Sequence, residues 1–213
     1  MNTQGAGESA RRGRLFVIAA PSGAGKTSLV QALLKMRPQL RLSVSHTTRK
    51  PRPTEAEGRE YFFVPVETFR KLASDQQFLE HAQVFDNHYG TGRAPVEAAL
   101  AQGASVILEI DWQGARQVRA SLPECVSIFI LPPSRDALEK RLRARKTESA
   151  AAIQRRLADA VGDMTHWREF DYVVVNDEFD RALAELASIV DGKGEALRSE
   201  RAALAPLLSE LLA

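Results

Sequence analysis

The sequence predicts an α/β protein in which helices cover both faces of a parallel sheet. From residue 95 onward, short apolar strands alternate with helices. The strand at 126–131 is apolar almost throughout, which is typical of a parallel strand buried on both faces. Near the N-terminus, a glycine-rich turn joins an apolar strand to a helix. Residues 45–92 interrupt the alternation with β-rich and loop-rich sequence, which indicates an inserted subdomain.

Hydrophobic periodicity predicts the individual elements. Strands are expected at 15–19, 40–45, 61–64, 78–85, 105–110, 126–131 and 172–175. Helices are expected at 28–34, 67–73, 95–102, 113–121, 136–145, 150–164 and 180–190. Residues 46–60 are predicted to be extended and 86–92 to form a turn-rich loop. Residues 195–212 are predicted to form a helix kinked at Pro206, which either docks on its own core or makes an oligomer contact.

The glycine-rich turn has the context of a phosphate-binding loop, because a buried strand precedes it and an amphipathic helix follows. Its residues are Ala20, Pro21, Ser22, Gly23, Ala24, Gly25, Lys26 and Thr27. Lys26 is expected to reach the β- and γ-phosphates of a nucleoside triphosphate, and the Thr27 hydroxyl to bind Mg²⁺. Ala20 stands where the usual pattern has its first glycine, and it would be strained if the position needs a positive φ. The alternative is an ordinary glycine-rich turn with an exposed lysine.

Composition restricts the class of protein. The chain has 213 residues, a net charge of +2 and one cysteine, Cys125. It is therefore long enough for one core domain with an insertion, and it can form no internal disulfide. No apolar run is long enough to cross a membrane, and residues 1–13 resemble a flexible tail rather than a secretory signal. We therefore expect a cytoplasmic protein with no membrane partner.

Arginines follow the predicted strand at 40–45. Arg49 and Arg52 lie in a proline-stiffened loop, and arginine side chains pair bidentately with phosphate oxygens. Tyr61 and Tyr89 could add hydroxyl donors. An exposed basic loop explains the same residues equally well.

Two carboxylates occupy apolar surroundings. Glu80 lies within an apolar strand, and Asp111 directly follows another. Carboxylates seldom occupy such places without partners. The Watson–Crick edge of guanine offers adjacent N–H donors, which suit a carboxylate acceptor. The alternatives are carboxylates that face water, or an Asp111 that serves only the outer shell of Mg²⁺.

A basic cluster spans residues 135–156. Arg141 and Arg145 are spaced i and i+4, so they share one helix face. A mobile segment with arginines on one face could close on a triphosphate. A nucleic-acid interface is the weaker explanation, because the net charge of the chain is nearly neutral, and we expect no nucleic-acid partner.

From about residue 13 to 189, the sequence resembles the bacterial guanylate kinases. The resemblance is carried by residues 20–27, 43–49, 80–82, 89–91, 111–114, 130–134 and 175–177. It implies transfer of a phosphoryl group from ATP to GMP with Mg²⁺, on a P-loop NTPase core with a nucleotide-binding insertion and a helical lid. It also implies a core at 14–44 and 93–213, a GMP-binding subdomain at 45–92 and a lid at about 135–156.

The resemblance also implies roles for individual residues. The guanine base would be held by Ser45, Glu80, Thr91 and Asp111, and the GMP phosphate by Arg49, Arg52, Tyr61 and Tyr89. Lys26, Arg141, Arg145 and Arg156 would act on the transferring phosphoryl group, and Asn176 falls in the loop on the adenine side. Thr54 and His88 depart from the family pattern.

Two other functions are compatible with this likeness. One is a non-catalytic module that binds phosphorylated peptides, although such modules typically lack a working phosphate loop. The other is a related kinase for a different phosphorylated substrate. Lys26 and Thr27 favour catalysis, and Glu80 with Asp111 favours guanine.

Overall fold

The structure is a computed structural model that describes residues 12–84, 86–144 and 150–213. Its strands are β1 (Leu15–Ala19), β2 (Leu40–Leu42), β3 (Ser45–Thr47), β4 (Tyr61–Phe63), β5 (Phe78–Val84), β6 (Asn87–Gly92), β7 (Ser105–Glu109), β8 (Val126–Leu131) and β9 (Tyr172–Val175). Its helices are α1 (Lys26–Met36), α2 (Val66–Ser74), α3 (Arg93–Ala101), α4 (Trp112–Ser121), α5 (Arg135–Ala144), α6 (Ala150–Met164), α7 (Phe179–Val190) and α8 (Ala205–Leu212).

The larger sheet has the strand order β2-β7-β1-β8-β9, and all of its pairings are parallel. β1 lies at the centre, so the turn that follows it emerges at the carboxyl edge of the sheet, beside the end of β7. Ligands of open α/β sheets bind at this edge. The predicted α/β class with a parallel sheet is confirmed.

Side chains of β1 alternate between two apolar layers. Leu15, Val17 and Ala19 pack with residues of α3, α4, α5, α6 and α8. Phe16 and Ile18 point to the other face and pack with α1 and α7. Because successive side chains of a strand point to opposite faces, one fully apolar strand contributes to both layers.

The smaller sheet is built from strands within residues 45–92, in the order β4-β3-β6-β5. β6 pairs antiparallel with both β5 and β3, whereas β3 and β4 are parallel. Helix α4 packs against β5, so the two sheets meet near the carboxyl edge of the larger one.

Two predictions about this region were wrong. Residues 86–92 were predicted to be a turn-rich loop, but 87–92 form β6. Their asparagine and glycines are typical of turns, yet pairing on both edges holds the segment extended. The single strand predicted at 40–45 is interrupted, because the chain leaves the larger sheet after Leu42 and enters the smaller one at Ser45.

The C-terminal segment also differs from its prediction. Residues 195–212 contain two short 3-10 turns and the helix α8 rather than one kinked helix. Pro206 lies in the first turn of α8, where its missing N–H costs nothing. Leu204, Leu208 and Leu211 are buried in the core, so the segment docks on its own domain. None of the described helices is long and apolar enough to cross a membrane.

Candidate active site

The turn after β1 is shaped by two glycines. Gly23 and Gly25 have φ values of 90° and 93°, in the left-handed region that favours glycine. Gly25 precedes the first residue of α1 and carries no side chain that could cap the helix, so the first N–H groups of α1 remain available to an anion. Among the described non-glycine residues, Gln76 alone has a positive φ, so Ala20 replaces the usual glycine without backbone strain.

Two side chains support this loop from behind. Asn176 is buried, and its Nδ2 donates to the Ala24 carbonyl at 2.7 Å. The guanidinium of Arg141 donates to the carbonyls of Asn176 at 2.8 Å and Ala24 at 3.4 Å. Both residues therefore contact the backbone of the phosphate loop in this structure.

Lys26 and Thr27 contact the end of β7. The Lys26 ammonium donates to the Ile110 carbonyl at 2.7 Å. Burial lowers the pKa of Lys26, and the negative charges of Glu109 and Asp111 oppose that shift. The Thr27 hydroxyl donates to the Glu109 carboxylate. A hydroxyl and a carboxylate side by side are the hard oxygen donors that Mg²⁺ prefers.

Glu80 is the buried carboxylate of the smaller sheet, with 3% of its surface exposed. The Thr91 hydroxyl donates to its Oε1 at 2.6 Å, and the Ser45 hydroxyl lies 3.2 Å from that of Thr91. Burial raises the pKa of Glu80 to about 7, and the nearby Asp111 adds to the shift, whereas the hydrogen bond from Thr91 opposes it.

Asp111 lies at the N-terminus of α4. Its Oδ1 accepts the backbone N–H of Gly114 at 2.8 Å, so it caps the helix. Asp111 therefore has a structural role in addition to facing the cavity. The family resemblance implied that Asp111 and Glu80 share the guanine site, whereas nothing in the sequence predicted the cap.

Arg49 forms a bidentate ion pair with Glu55. Its Nη2 and Nη1 lie 2.9 and 3.0 Å from the two carboxylate oxygens. Its guanidinium also lies over the Tyr61 ring, 5.4 Å from the centroid. The side chain of Arg52 is mostly exposed. The ring centroids of Tyr61 and Tyr89 are 5.8 Å apart. Burial raises the pKa of Tyr61 to about 12, so its hydroxyl remains a donor.

The predicted lid arginines have different placements. Arg141 is on α5 behind the phosphate loop. Arg156 is half-buried on α6, whereas its neighbour Arg155 borders the cavity. Arg145 lies outside the described residues.

A single cavity of about 910 Å³ connects the phosphate loop with the smaller sheet. It is lined by predicted residues of both regions, namely residues 20–23 and 25–27, Ser45, Tyr61, Glu80, Tyr89 and Asp111. Arg49, Arg52 and Thr91 are not among the residues that line it.

Comparison with known proteins identifies the family. The model of the guanylate kinase family matches residues 12–193. The chain belongs to the guanylate kinase family. The family resemblance predicted from the sequence is thereby confirmed.

Individual members of the guanylate kinase family match nearly the whole chain. The chain is 54% identical to a guanylate kinase of Alkalilimnicola ehrlichii over 94% of its own length and 98% of that protein. It is 49% identical to one of Escherichia coli, over 95% and 99% of the two chains. The crystal structure of guanylate kinase from Anaplasma phagocytophilum superimposes with a TM-score of 0.72 at 32% identity, covering 93% of this chain and 95% of that one.

One part of the cavity wall was missed at the sequence level. The Trp112 indole donates to Asp163 of α6 at 3.0 Å and stacks on His166 with ring centroids 3.5 Å apart. Burial raises the pKa of Asp163 to about 6. Trp112 and Asp163 are 51 residues apart in sequence, and no local pattern joins the tryptophan to Asp163 or His166. Glu109 could have been noticed as a site residue, because it is the last residue of β7 and lies two positions before Asp111.

Proposed function

We propose that this guanylate kinase transfers the γ-phosphoryl group of ATP to GMP, giving ADP and GDP. The observation that carries the proposal is the continuous cavity, because it joins a phosphate-binding loop to a pair of carboxylates suited to guanine. Such a cavity can hold two nucleotides with their phosphates towards each other, which favours in-line transfer. A phosphate oxygen of GMP forms the new bond to the γ-phosphorus as the bond to ADP breaks.

On the ATP side, the described residues supply an anion site. Backbone N–H groups of residues 23–27 and the Lys26 ammonium would bind the phosphates of ATP. Thr27 and Glu109 fit Mg²⁺, and no cluster of three or more acidic, His or Cys side chains suited to a metal occurs among the described residues. This agrees with an ion held by few side chains together with phosphates. Bound Mg²⁺ would neutralise phosphate charge during transfer.

On the GMP side, Glu80 and Asp111 would accept the N–H donors of guanine, with the Ser45 and Thr91 hydroxyls supporting them. Arg49, Arg52, Tyr61 and Tyr89 would bind the phosphate, and Glu55 would hold Arg49 in place. In this proposal, residues 45–92 are the GMP-binding subdomain. The segment at 135–156 is the lid, and Arg141, Arg145 and Arg156 neutralise the charge of transfer when it closes.

The test is an assay of ADP release with ATP, Mg²⁺ and each nucleoside monophosphate in turn. We expect GMP to exceed AMP in kcat/KM by about 10⁴-fold, because a site built to hydrogen-bond a substrate group rejects analogues without it. A preference for another acceptor would contradict the proposal. Failure to release ADP with any acceptor would support the non-catalytic alternative, which the relatives do not favour. Action in the cytoplasm and an oligomer through α8 remain predictions.

A further inference from the structure

Gly114 lies between the two carboxylates proposed to read guanine. It is buried in the first turn of α4, and its N–H donates to Asp111 Oδ1. The glycines with positive φ are residues 23, 25, 58, 103 and 192 among the described residues, so Gly114 has a backbone conformation open to any residue. Helix formation by itself would favour alanine here. Any need for glycine at this position therefore comes from the surroundings of Gly114 and not from its backbone conformation.

A Cβ added to Gly114 would press on Glu80. It would lie 3.0 Å from Glu80 Cδ and closer still to Oε2, and 3.4 Å from Asp111 Oδ1. A carbon at such a distance from Oε2 requires one of the two groups to move. The end of the Glu80 side chain is more easily moved than helix α4, whose buried residues Ala115 and Val118 pack in the core.

The second oxygen of the Glu80 carboxylate, Oε1, is held by a hydrogen bond. Thr91 donates to Oε1, and the Thr91 hydroxyl contacts Ser45. Displacement by a methyl group at position 114 would therefore break this arrangement while costing the fold little. The effect would be confined to the part of the cavity that faces the base.

We propose that Gly114 is a positioning residue for guanine selectivity: the absence of its side chain leaves room for Glu80, while its N–H orients Asp111. One backbone position thus sets the spacing of both carboxylates. The inference rests on the proposed transfer to GMP, since it assumes that these carboxylates bind guanine.

The test begins with Gly114→Ala. We expect kcat/KM for GMP to fall roughly 10- to 100-fold, the effect of weakening one hydrogen bond to a charged group. The KM for ATP and kcat/KM for AMP should change less than about twofold, because the phosphate loop and the rest of the cavity are untouched. The matched control is Ser121→Ala, at the exposed C-terminal end of the same helix and outside the lining of the cavity. It should keep the GMP/AMP ratio.

A double-mutant cycle separates this role from a general effect on packing. In a Glu80→Ala background no carboxylate remains to be displaced, so adding Gly114→Ala should lower GMP use no further. An equal loss in both backgrounds would overturn the proposal. If Gly114→Ala alone fails to fold, a folded double variant with the activity of Glu80→Ala supports it, whereas a double variant that also fails to fold overturns it.

The wild-type assay distinguishes the two levels of inference. If the wild-type protein does not phosphorylate GMP, the proposed function fails. If it does, and Gly114→Ala keeps the full GMP/AMP ratio, only the role of Gly114 is wrong.

Discussion

Replacing Glu80 with glutamine should stabilise the folded protein at neutral and alkaline pH while impairing its use of GMP. Burial raises the pKa of Glu80 from 4.5 to about 7 in the folded state. At 1.36 kcal/mol for each pKa unit, this shift means that the fold disfavours the ionised form of Glu80 by about 3 kcal/mol relative to the protonated form. Glutamine keeps an oxygen that can accept the Thr91 hydroxyl, and it carries no charge to desolvate.

The sign of the pH dependence follows from proton linkage. Between pH 4.5 and about 7, the folded protein holds the Glu80 proton more tightly than the unfolded chain. The stabilisation from this group is therefore complete below the unfolded pKa and is lost as the pH rises through the folded pKa. The Glu80→Gln variant lacks this loss, so its advantage over wild type should grow by up to about 3 kcal/mol from pH 5 to pH 8.

Urea unfolding of both proteins at pH 5 and pH 8 measures this difference. The comparison of the two proteins cancels the contributions of other groups, such as Asp163, that titrate in the same pH range. An advantage of equal size at both pH values would show that Glu80 does not retain its proton in the folded protein, and would refute the reasoning.

The kinetic counterpart of this prediction depends on the proposed substrate. Guanine N–H donors need the ionised carboxylate, so kcat/KM for GMP should decrease as the pH falls below about 7 in the wild-type protein. The Glu80→Gln profile should be lower and should lack this step. Profiles that keep the same step in both proteins would assign it to another group.

Three further predictions concern the phosphate sites. Lys26→Ala should lower kcat by roughly 10²-fold or more with a native far-UV spectrum, and near-normal turnover would exclude the role of this lysine. Glu109→Gln keeps an acceptor for Thr27 but removes the charge, so half-maximal activity should need roughly tenfold more Mg²⁺ in a titration at fixed ATP; an unchanged titration would remove Glu109 from the metal site. Glu55→Gln should raise the KM for GMP severalfold with little change in kcat, since Arg49 loses its ionic anchor, and an unaltered KM would contradict that.

Local sequence patterns predicted the core because the signals there are local. The strand before the phosphate loop is wholly apolar, and the turn that follows contains Gly23 and Gly25 before Lys26 and Thr27. Few other structures are compatible with such a sequence, since the strand must be buried on both faces and the chain must then turn sharply. Glu80 was found for a similar reason, because a carboxylate in an apolar strand needs a partner wherever that strand lies.

Segment 86–92 shows where local patterns are insufficient. Its asparagine and glycines are typical of a turn, yet 87–92 form a strand between β5 and β3. The backbone hydrogen bonds of two neighbouring strands outweigh the weak local preference, since β-propensity depends strongly on context. The break between β2 and β3 has a similar cause, because the alternation in 40–45 continues while the chain changes sheets.

The supports of the site are harder to predict than its reactive groups, because they act through space rather than along the chain. Asn176 donates to Ala24, which lies 152 residues earlier in the sequence. Gly114, in the first turn of α4, lies against Glu80, which belongs to strand β5 of the smaller sheet. A reactive lysine or carboxylate is chemically conspicuous in its own segment, whereas a glycine has meaning only through what would collide with its missing side chain. Changing such supports should therefore alter selectivity or KM before it alters the fold, which is the behaviour expected of Gly114→Ala.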